Sequence, residues 1–162
     1  MIGNDIIDLA LAKKESNWKR EGFLNKIFTA EEQLLIFQSS TPENMVWNLW
    51  SRKEAAYKIY NRQTQIRNYN PMQFVCSDVH LAVGKVICKE NVYFVKTEIT
   101  NEYIHTIAVT SIKDFKKLEI LDFAIKIYKK DGIPEILIKN DTLLKPISIS
   151  HHGRFERRIM IS

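Results

Sequence analysis

Three acidic side chains and a lysine stand where they could handle a phosphate: Asp5 and Asp8 near the N-terminus, and Glu54 with Lys58 one helical turn beyond it. Carboxylates are the hard oxygen donors that Mg²⁺ takes, and an ammonium is a point charge suited to phosphate oxygens. The run from about Glu43 to Tyr60 contains no glycine, and Pro42 stands just before its start. At 3.6 residues per turn Trp47, Trp50, Glu54 and Lys58 share one face of that helix, while Val46, Leu49, Ala56 and Tyr60 cluster on another. A carboxylate that follows two tryptophans on one face is expected to be partly desolvated. It then needs a partner: Lys53, Lys58 or a metal ion. The plain alternative is a surface Glu–Lys pair at i,i+4, worth a few tenths of a kcal/mol.

The elements that must position these groups can be read in chain order. Residues 2–8 are expected to enter as a short strand and turn into a helix running to about Arg20, with Gly22 as its stop. Asp5 could cap that helix, with Asp8 closing an imperfect capping box, which is the structural alternative for both aspartates. Thr29 followed by Glu31 and Glu32 predicts a capped helix from Ala30 to Gln38, and 39–42 a loop before the Glu43–Tyr60 helix. Asn61 to Pro71 is polar and reads as a loop.

Residues 73–111 predict a β-meander with strands at 74–76, 81–83, 86–88, 92–95 and 104–109, and turns at Gly84-Lys85, Glu90-Asn91 and Asn101-Glu102. His80 and His105 fall in this region and are expected to be structural. Ile112 to Leu121 reads as a lysine-bearing connector. Residues 125–128, Gly132-Ile133-Pro134 and 136–138 then read as strand, turn and strand.

Length and composition bound the answer. With 162 residues, 45% hydrophobic and 27% charged, the chain suits one domain or two small halves with a real core. No apolar run approaches the ~20 residues of a membrane span, and the start lacks the marks of a signal peptide, so a cytoplasmic protein is expected. Cys76 and Cys88 lack zinc-site spacing and are expected in the core. A net charge of +5 favours an acidic partner. The basic residues gather at Lys13, Lys14, Lys19, Arg20 and Lys26, and again at Arg154, Arg157 and Arg158.

Three short patterns recur together: G-x-D-I-x-D at Gly3–Asp8, W-S-x-K-E-A-x-x-K at Trp50–Lys58, and S-I-S-H-x-G at Ser148–Gly153. Taken with Phe23–Glu32, which is similar to the segment after the first motif in holo-acyl carrier protein synthases, this set resembles the 4'-phosphopantetheinyl transferase superfamily. The resemblance implies an α+β fold, with helices packed on an antiparallel sheet and two unequal halves at about 1–112 and 113–162. It implies Mg²⁺-dependent transfer of phosphopantetheine from coenzyme A to a serine of an acidic acyl or peptidyl carrier protein. By the same resemblance Asp5 and Glu54 match the metal ligands, with Asp8 a weaker third. Lys58, with Lys53, would reach the pyrophosphate, and Ser150 and His151 the nucleotide phosphates. Asp5, Glu54 and Lys58 would carry catalysis, and His151 would face Glu54 across a cleft.

The chain departs from the family in three ways. The loop after the K-E-A helix has no glycine, Ile133 stands where the family's G-K-P has lysine, and YIHTIAV resembles the end of the longer family type although the motif order follows the short one. The chain thus reads as a hybrid or a circular permutation. Two alternatives remain: a degenerate relative that binds coenzyme A or a carrier protein without turnover, and a basic nucleic-acid-binding module, which the modest charge of the β region disfavours.

Overall fold

The structure is a computed structural model, and it describes residues 1–138 and 144–162. The chain opens with strand β1 (Ile2–Asp8) and passes through helices α1 (Leu9–Glu15), α2 (Phe23–Ile27) and α3 (Ala30–Gln38) into the long helix α4 (Pro42–Thr64). Strands β2 (Val75–Ser77), β3 (Gly84–Cys88), β4 (Asn91–Ile99) and β5 (Tyr103–Val109) follow as an antiparallel meander. Then come β6 (Leu118–Ile120), β7 (Ile127–Lys130), β8 (Ile133–Leu137), β9 (Leu144–Pro146), β10 (Ser148–His152) and β11 (Phe155–Ile161).

Among the described residues the strands form three antiparallel sheets. The main one has the order β1-β5-β4-β3-β2, so the first strand pairs with the last strand of the meander, from Ile2 opposite Val109 to Asp8 opposite Tyr103. The others are β10-β11-β6 and β7-β8-β9. This is the expected α+β architecture with helices on an antiparallel sheet.

Helix α4 forms because its residues satisfy both of its surroundings. Val46, Leu49, Ala55, Ala56 and Ile59 are fully buried against the sheet, where they meet Val86, Val95, Ile104 and Ala108. Burial of each large aliphatic side chain is worth about 1.5–3 kcal/mol. Gly3 lets helix and strand approach closely, since a Cβ there would lie 2.1 Å from the Ala55 carbonyl oxygen. Pro42 sits in the first turn, where its missing N–H costs nothing, so the helix starts one residue early; it ends four residues late at Thr64. The opposite face of the main sheet carries Phe94, Ile107 and Val109, packed with Ile159 and Ile161 of β11.

Several local expectations are corrected. The first helix ends at Glu15, not Arg20, and its N-cap is Asp8, whose carboxylate accepts from the Ala10 and Leu11 amides. Asp5 lies inside β1, because pairing with β5 continues through Asp8. Gly22 precedes α2 rather than ending α1. Residues 81–83 form no strand, His80 lies in the turn before β3, and Gly84-Lys85 opens β3 instead of marking a turn. The connector after Val109 is a 3₁₀ segment followed by β6, which joins β11. Thr29 caps α3 as expected, with Glu32 completing a capping box, and both cysteines are buried and free.

Candidate active site

Strand β1 has one edge paired to β5, and its other edge is closed by side chains. The amides of Asn4, Ile6 and Asp8 donate to Ser148 Oγ at 2.9 Å, Ser150 Oγ at 2.8 Å and His152 Nδ1 at 2.9 Å. Alternate residues of β1 thus meet alternate residues of β10, which is the period of two that both strands share. The carbonyls of the same edge accept from α4: Lys58 Nζ reaches Asn4 O at 2.6 Å, and Arg62 Nη1 reaches Ile2 O at 3.0 Å. An edge strand so covered cannot recruit another chain, and it brings β1, α4 and β10 to one place.

Asp5 faces α4 at that place. Its Oδ1 accepts from Ser150 Oγ at 3.2 Å and lies 3.9 Å from Lys58 Nζ. Its Oδ2 is buried and has no hydrogen-bond partner among the described residues. Burial pushes the Asp5 carboxyl above its ordinary range, against the opposing pull of Lys58 and the Ser51 and Ser150 hydroxyls. Glu54 accepts no hydrogen bond among the described residues, and burial followed by the charge of Asp5 pushes its carboxyl up to about 7. Lys58 is pulled down by its own burial, against the two carboxylates that favour its charge. Two carboxylates that disfavour each other's charge, one with a buried orphan oxygen, form a site short of positive charge.

A divalent hard cation fits that deficit, and Asp5 and Glu54 are the residues that would hold it. Asp8 does not join them. Its carboxylate is taken up by Arg154, with Nε on Oδ2 at 2.9 Å and Nη2 on Oδ1 at 3.0 Å, and by the start of α1. Arg154 holds the Asp8 carboxyl well below the usual range. Gly153 makes room for this contact, because a Cβ there would stand 2.5 Å from Asp8 Oδ2. Among the described residues no three His, Cys, Asp or Glu side chains converge on one ion position. Phosphate oxygens and water would complete the shell.

The structure separates Lys53 from Lys58. Lys53 is fully buried and donates to Glu32 Oε2 at 2.7 Å, Pro71 O at 3.0 Å and Phe74 O at 2.6 Å. All three ammonium donors are used, so Lys53 neither pairs with Glu54 nor has a proton to offer a phosphate. Ser150 is likewise engaged, its hydroxyl donating to Asp5 while accepting from Ile6. His151 is exposed and borders a cleft of about 340 Å³ with Asp5, Trp47, Trp50 and Phe23. The neighbouring His152 carries the strand contact.

Beside Lys58 a second cleft of about 350 Å³ is lined by Arg62, Arg67, Tyr57, the Asp131-Gly132 turn and the start of β8, which begins at Ile133 where a turn over Gly132–Pro134 is expected from the sequence. Arg62 and Arg67 were not singled out from the sequence, although Arg62 stands one helical turn past Lys58. His105 is structural, as expected: burial and the nearby cations hold it down to about 4, and Asn4 Nδ2 lies 3.4 Å from its Nε2.

The model of the 4'-phosphopantetheinyl transferase superfamily matches residues 1–108, which hold β1, α4 and all of the main sheet but its last residue, Val109. The chain belongs to this superfamily. Phosphopantetheinyl transfer is therefore its class of activity. Among solved structures, this family member is similar to holo-[acyl-carrier-protein] synthase (AcpS) from Neisseria meningitidis, with a TM-score of 0.56 and 19% sequence identity. The similarity covers 68% of this chain and 96% of that one, and it shows a shared fold. No curated protein sequence matches the chain. The match of the family model ends before β10, so Ser148–Gly153 of this transferase lies outside it.

Proposed function

We propose that the chain is a holo-acyl carrier protein synthase-type enzyme, moving 4'-phosphopantetheine from coenzyme A to a serine of an acyl or peptidyl carrier protein. One observation carries the reading: Asp5 and Glu54, remote in sequence, share a site with Lys58, and Asp5 Oδ2 is buried there without a partner among the described residues. In the reaction the serine oxygen bonds to the phosphorus that bears pantetheine, the pyrophosphate P–O bond breaks, the adenosine bisphosphate leaves with the electron pair, and the serine proton passes to that leaving phosphate or to water. Mg²⁺, held by Asp5 and Glu54, would neutralise charge on the transferred phosphoryl group. Lys58 lies between that position and the basic cleft, so its ammonium would hold the pyrophosphate, while Arg62 and Arg67 attract the remaining phosphates.

The carrier would meet α1 and the segment after it. Lys13 and Lys14 stand in the last turn of that helix, and Arg20 borders the cleft that holds Asp5. Complementary charge raises the rate of encounter with an acidic partner. We also carry forward the division at about residue 112, with 113–162 as the half that closes the site through β10. A cytoplasmic location suits a coenzyme A-dependent enzyme, and no helix among the described residues is long and apolar enough to cross a membrane.

The test is direct. The protein is incubated with coenzyme A, Mg²⁺ and a panel of apo carrier proteins, and each carrier is weighed by mass spectrometry. The expected result is a gain of one phosphopantetheine on at least one carrier, lost in Glu54→Gln and Asp5→Asn. No gain on any carrier that a known transferase modifies would sink the proposal.

A further inference from the structure

Tyr69 lies in the loop after α4, and its ring is fixed by three others. It packs edge-on to Trp50 at 5.9 Å between centroids, tilted on Tyr57 at 4.5 Å, and against Phe74 at 5.7 Å. Trp50 and Tyr57 are two turns apart on α4, and Glu54 stands between them on the same stripe. A ring that touches both lies near Glu54, whose charge acts on its hydroxyl. The loop is tied down on either side. Tyr57 Oη donates to Arg67 O at 2.8 Å, Asn61 Nδ2 to Ile66 O at 2.8 Å, and Lys53 Nζ to Pro71 O at 3.0 Å.

Among the described residues the Tyr69 hydroxyl is buried with no hydrogen-bond partner, and Glu54 accepts no hydrogen bond. Buried hydroxyls are nearly always paired, and exceptions cluster where function demands them. A phenol O–H is a donor in the neutral range, and the charges of Glu54 and Asp5 act on this one.

We propose that Tyr69 is a positioning residue for Glu54: its O–H donates to the Glu54 carboxylate and fixes it for the cation. The inference rests on the metal reading given above, and it names a residue outside the three sequence motifs. Such outer hydrogen bonds typically change metal affinity by about 10- to 100-fold. No glycine is available in this loop to bring backbone amides close, and an aromatic clamp serves in their place to set the position of a donor.

The test uses Tyr69→Phe, which keeps the ring packing and removes only the hydroxyl. Mn²⁺ binding to the whole protein is followed by electron paramagnetic resonance with saturating coenzyme A, next to transfer activity and thermal melting. The expected result is at least tenfold weaker Mn²⁺ binding in Tyr69→Phe, a lower kcat at fixed Mg²⁺ that excess metal partly restores, and an unchanged or raised melting temperature. Equal Mn²⁺ affinity in the two proteins overturns the inference, and leaves the transferase reading standing if wild type still modifies a carrier. Weaker binding with no transfer by wild type supports the role of Tyr69 and removes the transferase reading. Absence of saturable Mn²⁺ binding in wild type overturns both the metal site and the inference. A melting temperature several degrees lower in Tyr69→Phe, with unaltered affinity, assigns the hydroxyl to the fold alone.

Discussion

Glu54→Gln is expected to do opposite things to activity and to stability. The folded protein pushes the Glu54 carboxyl from its ordinary 4.5 up to about 7. Between those values the native state holds a proton that the unfolded chain releases, so stability falls as pH rises through the window. Above it the full cost is present. At about 1.4 kcal/mol per pH unit the ceiling is roughly 3 kcal/mol, and solvent reaching the half-buried carboxylate reduces this to about 1–2 kcal/mol. Glutamine has the same shape and no charge to bury. In a chelator at pH 8, Glu54→Gln should therefore melt about 2–8 °C above wild type, using about 2–4 °C per kcal/mol for a chain of this size. At pH 4.5 the difference should nearly vanish, since the carboxyl is largely protonated in the native state. Adding Mg²⁺ at pH 8 should raise the wild type and leave the variant unmoved, while the variant transfers no phosphopantetheine. Melting curves by circular dichroism at both pH values suffice. A variant that melts below wild type at pH 8, or an equal difference at pH 4.5, would refute the claim that Glu54 is held at a local cost.

Two further outcomes follow from the same structure. Lys53→Met leaves Glu32 buried without its ammonium partner, so unfolding in urea should show a loss of about 3–5 kcal/mol, and adding Glu32→Gln should recover much of it. If Lys53→Met keeps full stability but loses coenzyme A affinity, Lys53 is a phosphate ligand after all. Lys14→Glu with Arg20→Glu should raise the KM for the carrier several-fold at low salt while sparing that for coenzyme A, and the effect should shrink as salt rises. Unchanged carrier kinetics at low salt would move the docking surface elsewhere, with Arg154, Arg157 and Arg158 next in line.

The sequence by itself determined the helix that carries Glu54 and Lys58, because a glycine-free run with one apolar stripe has few other stable arrangements. It also determined the Thr29 cap of α3 and, apart from a strand at 81–83, the meander after residue 73, since these follow from contacts between near neighbours. The joining of Asp5 to Glu54 could be expected from the motif resemblance, yet only the tertiary structure put them side by side, through the pairing of β1 with β5 and the close approach at Gly3. The fate of Lys53 and Lys58 was decided there too. Both stand on α4, but successive helix positions point about 100° apart, so five residues separate a lysine sealed in the core from one facing the site. Asp8 and Asp5 diverge for a similar reason: Arg154 arrives from the far end of the chain to claim one and not the other. Tyr69 was hidden in a stretch that reads as a polar loop. Its place near Glu54 depends on rings from α4 and on Phe74, and no local pattern records which rings a loop will meet when it folds back.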